Sequence, residues 1–265
     1  MPNPVRLLLF ALLLFAGFPT ASAAEPSESV RVGMGFSIAP YVLRAENSGL
    51  EVDIIREAFK AAGVSVEFSF LPNLRLPIAF AGRDVDCLAL SVGYDLEKIT
   101  GRRVYGSKPT IAFRNHVVSL ASRHLRFDLL EDLNGLVVLG FQDACNYLGP
   151  EFADYARGND LYSELSDQAL QVRMLFSGRV DAVISERRVF LYWRDRLEST
   201  PVARVVNLDQ DVVMAPLFQE QARQVVFGTP SLCRRFDQGL AAIRASGLYD
   251  EILKRYDTAE YGGRQ

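Results

Sequence analysis

Cysteine and histidine are scarce in this 265-residue chain: there are three of the first and two of the second. Neither His116 nor His124 lies at metal-ligand spacing from Cys87, Cys145 or Cys233, which argues against a structural zinc site. Three cysteines allow one disulfide at most and leave a thiol over; Cys87, inside an apolar run, reads as a buried, inert thiol. A P-loop and a serine, histidine and acid constellation are also missing, so no cofactor or catalytic machinery is expected. Excess positive charge is absent too. With 29 Lys+Arg against 32 Asp+Glu, the chain has no concentrated basic surface for nucleic acid. Low-complexity stretches and internal repeats are lacking, and a composition of 49% hydrophobic and 23% charged residues excludes a largely disordered chain.

One long apolar run is present, from Leu7 to Phe18, and it falls short of the roughly 20 residues that span a bilayer. Arg6 precedes it and Ala21-Ser22-Ala23 follows it, the layout of a cleavable secretory signal peptide over residues 1–24. No cysteine stands near the cleavage point to accept a lipid. The expectation is an exported protein beginning near Ala24 or Glu25, with no membrane insertion afterwards. Removing Arg6 with the leader moves the formal net charge from -3 to -4. The roughly 240 residues left suit one large domain or two modest ones.

From Val30 onward, strand-like and helix-like segments alternate. VRVGMGF is a short β-rich run. EVDIIREAFKAAG places Val52, Ile55, Ala58, Phe59 and Ala62 on one helical face and stops at Gly63, a position suited to a left-handed cap. SVEFSF alternates as a half-wet strand; LRLPIAFAG reads as a short helix interrupted early by Pro77; DVDCLALSV reads as a strand buried on both faces. These segments form a βαβαβ unit, hence one layered α/β lobe. After the extended stretch TIAFRNHVVSL comes a second series. LNGLVVLGF is a strand, YLGPEFADYARG and DQALQVRMLFSG are helices, RVDAVIS is a buried strand and ERRVFLYWRDRL a helix. A second extended passage, APLFQEQARQVVFG, leads to two closing helices, the first with Phe236, Leu240 and Ile243 on one face. Two series joined by two extended passages imply two lobes and two crossings.

Five segments in this order resemble the family 3 extracellular solute-binding proteins, the periplasmic receptors of polar amino-acid ABC importers. They are GLEVDIIREAF, DVDCLAL, DLNGLVVLGFQ, SGRVDAVISE and the terminal SLCRRFDQGLAAIRASGLYDEILKRY. The resemblance implies an α/β fold of the two-lobe, type II periplasmic-binding kind, with two hinge crossings near residues 110–114 and 219–223. One lobe would take residues 25–110 and 223–265, the other 115–218. It also implies a monomer in the periplasm that holds a small polar solute, an amino acid or a related zwitterion or carboxylate, and passes it to an inner-membrane ABC permease. Two other classes share the fold: a cyclohexadienyl-dehydratase-like periplasmic enzyme, and a ligand-sensing receptor acting on a signalling partner.

The resemblance also marks site residues. The stretch SVGYDLEKITGRRVYGSKP leaves the carboxyl end of a first-lobe strand, where such sheets bind ligands. Counting from Asp86 puts Ser91 and Gly93 on backbone-binding positions and Lys98 where the family carries an arginine for the ligand carboxylate; Asp95 stands in place of a threonine. Lysine offers a point charge in place of a planar fork, and a gap in the alignment would offer Arg102 or Arg103 instead. On the other side Glu186, one methylene longer than the family's aspartate, is expected to face the ligand ammonium or to cap a helix. Asp181 is expected to hold a turn. Gln142 lies in the turn GFQDACNY, with Asp143 and Asn146 as candidate caps, and backbone amides there are placed to cradle a carboxylate. Phe36 and Tyr41 are the aromatic walls.

Overall fold

The computed structural model describes residues 29–35 and 38–257, so the expected signal peptide and Phe36 lie outside the described residues. The first half runs β1 (Ser29–Met34), α1 (Leu50–Ala61), β2 (Ser65–Phe70), α2 (Leu76–Ala81), β3 (Cys87–Ser91), α3 (Leu96–Thr100) and β4 (Tyr105–Gly106). β5 (Ala112–Phe113) and β6 (Asn115–Leu120) follow one another with Arg114 between them. Then come β7 (Val138–Phe141), α4 (Ala144–Tyr147), α5 (Pro150–Gly158), β8 (Tyr162–Leu165), α6 (Gln168–Phe176), β9 (Ala182–Glu186) and α7 (Arg187–Glu198). β10 (Val212–Ala215), β11 (Gln221–Phe227), α8 (Pro230–Ala245) and α9 (Leu248–Asp257) close the chain.

These strands make two sheets and hence two lobes. The first sheet has the order β2-β1-β3-β11-β4, with β5 also paired to β11; the second has the order β10-β6-β9-β7-β8. β1, β2 and β3 are parallel, as are β7, β8 and β9, whereas β11 and β6 join their sheets antiparallel. The chain leaves the first sheet after Phe113 and returns to it at Gln221, and these two residues are register partners. Arg114 and Glu220, beside that pair, form an ion pair of 3.1 Å that ties the two crossings together. Both side chains are half exposed, so the pair contributes little stability by itself.

Local chemistry explains the elements. α1 buries Val52, Ile55, Ala58 and Phe59, and Gly63 takes the left-handed conformation at φ 69° just past its end. α8 crosses α1 so closely that a Cβ on Gly239 would meet the Ala58 carbonyl oxygen at 1.9 Å, and glycine alone fits. Pro77 does not interrupt α2: it sits in the first turn, where no backbone donor is needed. Asp181 holds its turn through the Val137 amide at 2.9 Å and an ion pair with Arg123. The three cysteines are free thiols, Cys87 and Cys233 buried and Cys145 half-buried. No described helix is long and apolar enough to cross a membrane.

The lobes touch on the hinge side. Val189 of α7 joins the first lobe's core, with Tyr192 and Trp193 packed against it, and Arg188 Nε lies 2.6 Å from Asp257 Oδ1 at the end of α9. Tyr249 donates a hydrogen bond of 2.7 Å to the Thr110 carbonyl and Arg244 one of 2.7 Å to that of Pro109. The terminal helices thereby hold the start of the first crossing against the first lobe.

Candidate functional site

The parallel strands of both sheets carry their turns and helix N-termini at the same ends, the ends at which open α/β sheets bind ligands. The turns that leave β3 and β7 approach each other there. Burial, and then the neighbouring phenol of Tyr147 in α4, raise the pKa of Tyr94 in the turn after β3. Tyr94 and Tyr147 thus come within electrostatic reach of each other where a cleft between the lobes would open.

Its floor is a chain of contacts running from the end of β3 to the end of β9. Ser91, the last residue of β3, is the register partner of Arg223 in β11, so their side chains share one face of the sheet. Arg223 Nη1 is 3.5 Å from Ser91 Oγ. Its Nε and Nη2 grip both oxygens of Glu51 at 3.0 and 3.1 Å, and Nη2 also reaches the Ala89 carbonyl at 3.2 Å. Glu51 is fully buried in the first turn of α1. The Phe113 ring lies under the guanidinium at 5.2 Å, and Tyr41 packs edge-on to Phe113 with centroids 4.5 Å apart.

The tyrosine links the lobes. Its side chain is fully buried, and its hydroxyl lies beside Glu186 and Arg188 without a well-aligned hydrogen bond among the described residues. Burial, followed by the nearby Glu186 carboxylate, pushes its pKa well above that of an ordinary tyrosine, with Arg188 pulling the other way. Glu186 ends β9 and begins α7, where its Oε2 accepts from the amides of Arg188 at 2.7 Å and Val189 at 3.1 Å. It is thus a helix cap, and a buried one at 7% exposure. Burial raises its pKa above the usual carboxylate value against the lowering pull of the Val189 amide, the Tyr41 hydroxyl and Arg188. Arg187 and Arg188 stand in the first turn of α7, where the helix dipole disfavours cations. Such a local breach of helix chemistry is common at functional sites.

Ser91, Tyr41 and Glu186 therefore join one seam. Gly93, at φ 90°, shapes the exposed turn after β3. Lys98 sits in the five-residue helix α3, exposed and without an ion-pair partner among the described residues. Asp95 caps that helix by accepting from the Lys98 amide at 3.0 Å. Arg102 is engaged at the Phe80 end of α2. It donates to the Phe80 carbonyl and stacks on the Phe80 ring at 4.7 Å, near the end of α2 that leads toward the start of β3. Arg103 lies over the Tyr105 ring at 5.8 Å. Gln142 is exposed in the turn after β7.

That turn differs from its expected use as a carboxylate cradle, because the protein's own Glu164 occupies it. Glu164 Oε2 accepts from the Asp143 amide at 2.7 Å, while Oε1 accepts from the Cys145 amide at 2.9 Å and the Tyr162 hydroxyl at 2.8 Å. A Cβ on Gly140 would lie 2.3 Å from the Tyr162 oxygen, so glycine there clears the way for this phenol. Asp143 adopts the left-handed conformation at φ 64° without capping α4. Burial, the largest influence, raises the Glu164 carboxyl, but the hydrogen bonds together outweigh it and hold the pKa below the usual value. A depressed carboxyl stabilises the fold above its unfolded pKa and loses that contribution as pH falls. Glu164→Gln should therefore lower stability by about 1–3 kcal/mol at pH 7, and the gap from wild type should shrink below about pH 4. Urea titrations at both pH values check this; a gap that widens in acid would contradict it.

The model of the bacterial extracellular solute-binding proteins, family 3, matches residues 30–259. No curated protein sequence matches the chain. Among solved structures, an ancestral cationic amino acid solute-binding protein is 18% identical, covering 86% of this chain and 95% of its own at a TM-score of 0.66. A histidine kinase sensor domain similar to periplasmic binding proteins is 21% identical, over 87% of this chain and 96% of its own, at 0.62. An amino acid ABC transporter substrate-binding protein from Streptococcus pneumoniae, bound to L-arginine, is 18% identical, over 87% and 95%, at 0.60. At these identities the likeness shows the two-lobe fold.

Proposed function

Since the chain belongs to the bacterial extracellular solute-binding proteins of family 3, we propose that it captures an amino acid, or a related zwitterion or carboxylate, between its lobes for an inner-membrane ABC importer. The lobe boundaries at residues 25–110 with 223–265, and 115–218, belong to this proposal, as do the signal peptide over 1–24 and the periplasmic location. The observation that carries it is the buried Tyr41 hydroxyl, set between the lobes beside Glu186 and Arg188 with no well-aligned hydrogen bond among the described residues. A solute with a polar group at that point would complete the hydrogen bonding of this hydroxyl. Glu186 supplies a negative charge for an ammonium group, and the first lobe supplies cations for a carboxylate. Closure of both lobes on such a guest shifts a hinge equilibrium, with the hinge in the crossings near residues 110–114 and 219–223, where Arg114 and residues 216–220 link the strands of the two sheets.

Calorimetry against the twenty L-amino acids tests the reading, paired with thermal unfolding at each ligand. At least one is expected to bind at micromolar level and to stabilise the fold by about 2.7 kcal/mol at a hundredfold excess over Kd. No heat and no shift for any of them would contradict it. The importer role is separable from binding: vesicles carrying the cognate permease should take up the bound amino acid only when this protein is added.

A further inference from the structure

We propose that the solute's carboxylate docks on the Nη1 edge of Arg223, beside Ser91, so that the anion-holding cation belongs to β11 and not to the turn after β3. The inference rests on the solute-binding reading above and specifies which end of the guest each lobe takes.

Three observations lead to it. Arg223 is fixed as a ligand-binding arginine has to be. Its Nε and Nη2 are anchored on buried Glu51 at 3.0 and 3.1 Å, and Nη2 also holds the Ala89 carbonyl. Among the described residues Nη1 has only the long 3.5 Å contact to Ser91 Oγ, so one edge of a rigid planar fork remains at the carboxyl end of β3, with 16% of the side chain exposed. Preorganised guanidinium edges of this kind hold carboxylates with fixed geometry. Next, the other place suited to a carboxylate is closed: Glu164 already takes the Asp143 and Cys145 amides of the second lobe. Finally, the second lobe adds a buried acid, Glu186, so the guest's cationic end belongs there and its anionic end opposite. Phe113, packed on both Arg223 and Tyr41, spaces the two ends.

Lys98 does not compete on geometry. It rises from a five-residue helix with no partner among the described residues to fix its ammonium, and a strongly hydrated point charge on a flexible stem orients a carboxylate poorly.

The test uses the full mature chain with the twenty L-amino acids, each beside its C-terminal carboxamide, in calorimetry. Wild type should bind at least one acid on the order of 10- to 100-fold more tightly than its amide. Glu51→Gln combined with Arg223→Gln keeps two hydrogen-bonding partners in the buried pair and removes the guanidinium; it should bring that ratio to within about threefold. Arg223→Lys preserves the ion pair with Glu51 and serves if the double variant does not melt cooperatively; it should lower the ratio several-fold. An undiminished ratio in the folded variants, or its loss in Lys98→Ala instead, would overturn the inference while leaving solute binding intact. Wild type that binds none of the twenty L-amino acids and none of their amides would overturn the solute-binding reading first, and this inference with it.

Discussion

Glu51→Leu is expected to lower the unfolding free energy by about 3–5 kcal/mol, the largest stability loss foreseen for an exchange of one charged residue. The reason is the partner left behind. Glu51 is completely buried, and its two oxygens take two of the Arg223 nitrogens at 3.0 and 3.1 Å. Removing the acid leaves a largely desolvated guanidinium with the Ala89 carbonyl and the long Ser91 contact. Replacing both partners, as Glu51→Leu with Arg223→Met, takes away the uncompensated charge and should recover most of the loss, because well-packed apolar pairs often match buried ion pairs in stability. Chemical denaturation of the two single variants and the double variant measures the coupling. A Glu51→Leu variant within about 1 kcal/mol of wild type would show that the pair lies in water, where ion pairs contribute that little.

This pair also marks where the sequence stopped being readable. The helix over 50–61 follows from its apolar spacing, and the buried strands over 87–91 and 182–186 follow from their runs of apolar residues. The closing helices follow from Phe236, Leu240 and Ile243, all buried as expected. Each of those readings uses neighbours in the chain. Glu51 and Arg223 are 172 positions apart, and no local pattern joins them. β8, with the sequence YSEL, is a short polar edge strand, below the threshold of any alternation count, so Glu164 and the filling of the 143–145 turn went unseen. Asp143 takes the left-handed conformation, which glycine, asparagine and aspartate tolerate best. In the cation-rich stretch after β3, Arg102 lies on Phe80 and Asp95 caps α3, contacts that charge density alone does not show.

Glu186→Gln should weaken a zwitterionic solute by about 1.5–3 kcal/mol, roughly 10- to 100-fold in Kd, since it removes a charge-assisted bond to the ammonium. Its fold should change less, because the amide oxygen still accepts from the Arg188 and Val189 amides that Oε2 caps. The pH profile separates this role from simple capping. Burial raises the Glu186 pKa above the usual carboxylate value, so the acid protonates at a higher pH than an exposed glutamate. The sign follows: a protonated Glu186 offers no charge to an ammonium, so wild-type affinity declines as pH falls through that raised value, and Glu186→Gln loses this dependence. For the empty protein the linkage runs the other way. A raised carboxyl contributes stability below its unfolded pKa and loses it as pH rises through the folded one. Unchanged affinity in Glu186→Gln would remove this residue from the ligand's contacts.

Hydrogen exchange read by mass spectrometry, with and without the tightest-binding amino acid, tests most directly whether a guest is held by both lobes at once. Protection is expected to rise together at Ser91–Asp95 in the first lobe and at Glu186–Val189 in the second, along with the crossing at Phe113–Asn115. Protection confined to one lobe, or a rise elsewhere with those segments unchanged, would contradict a site shared between the ends of β3 and β9.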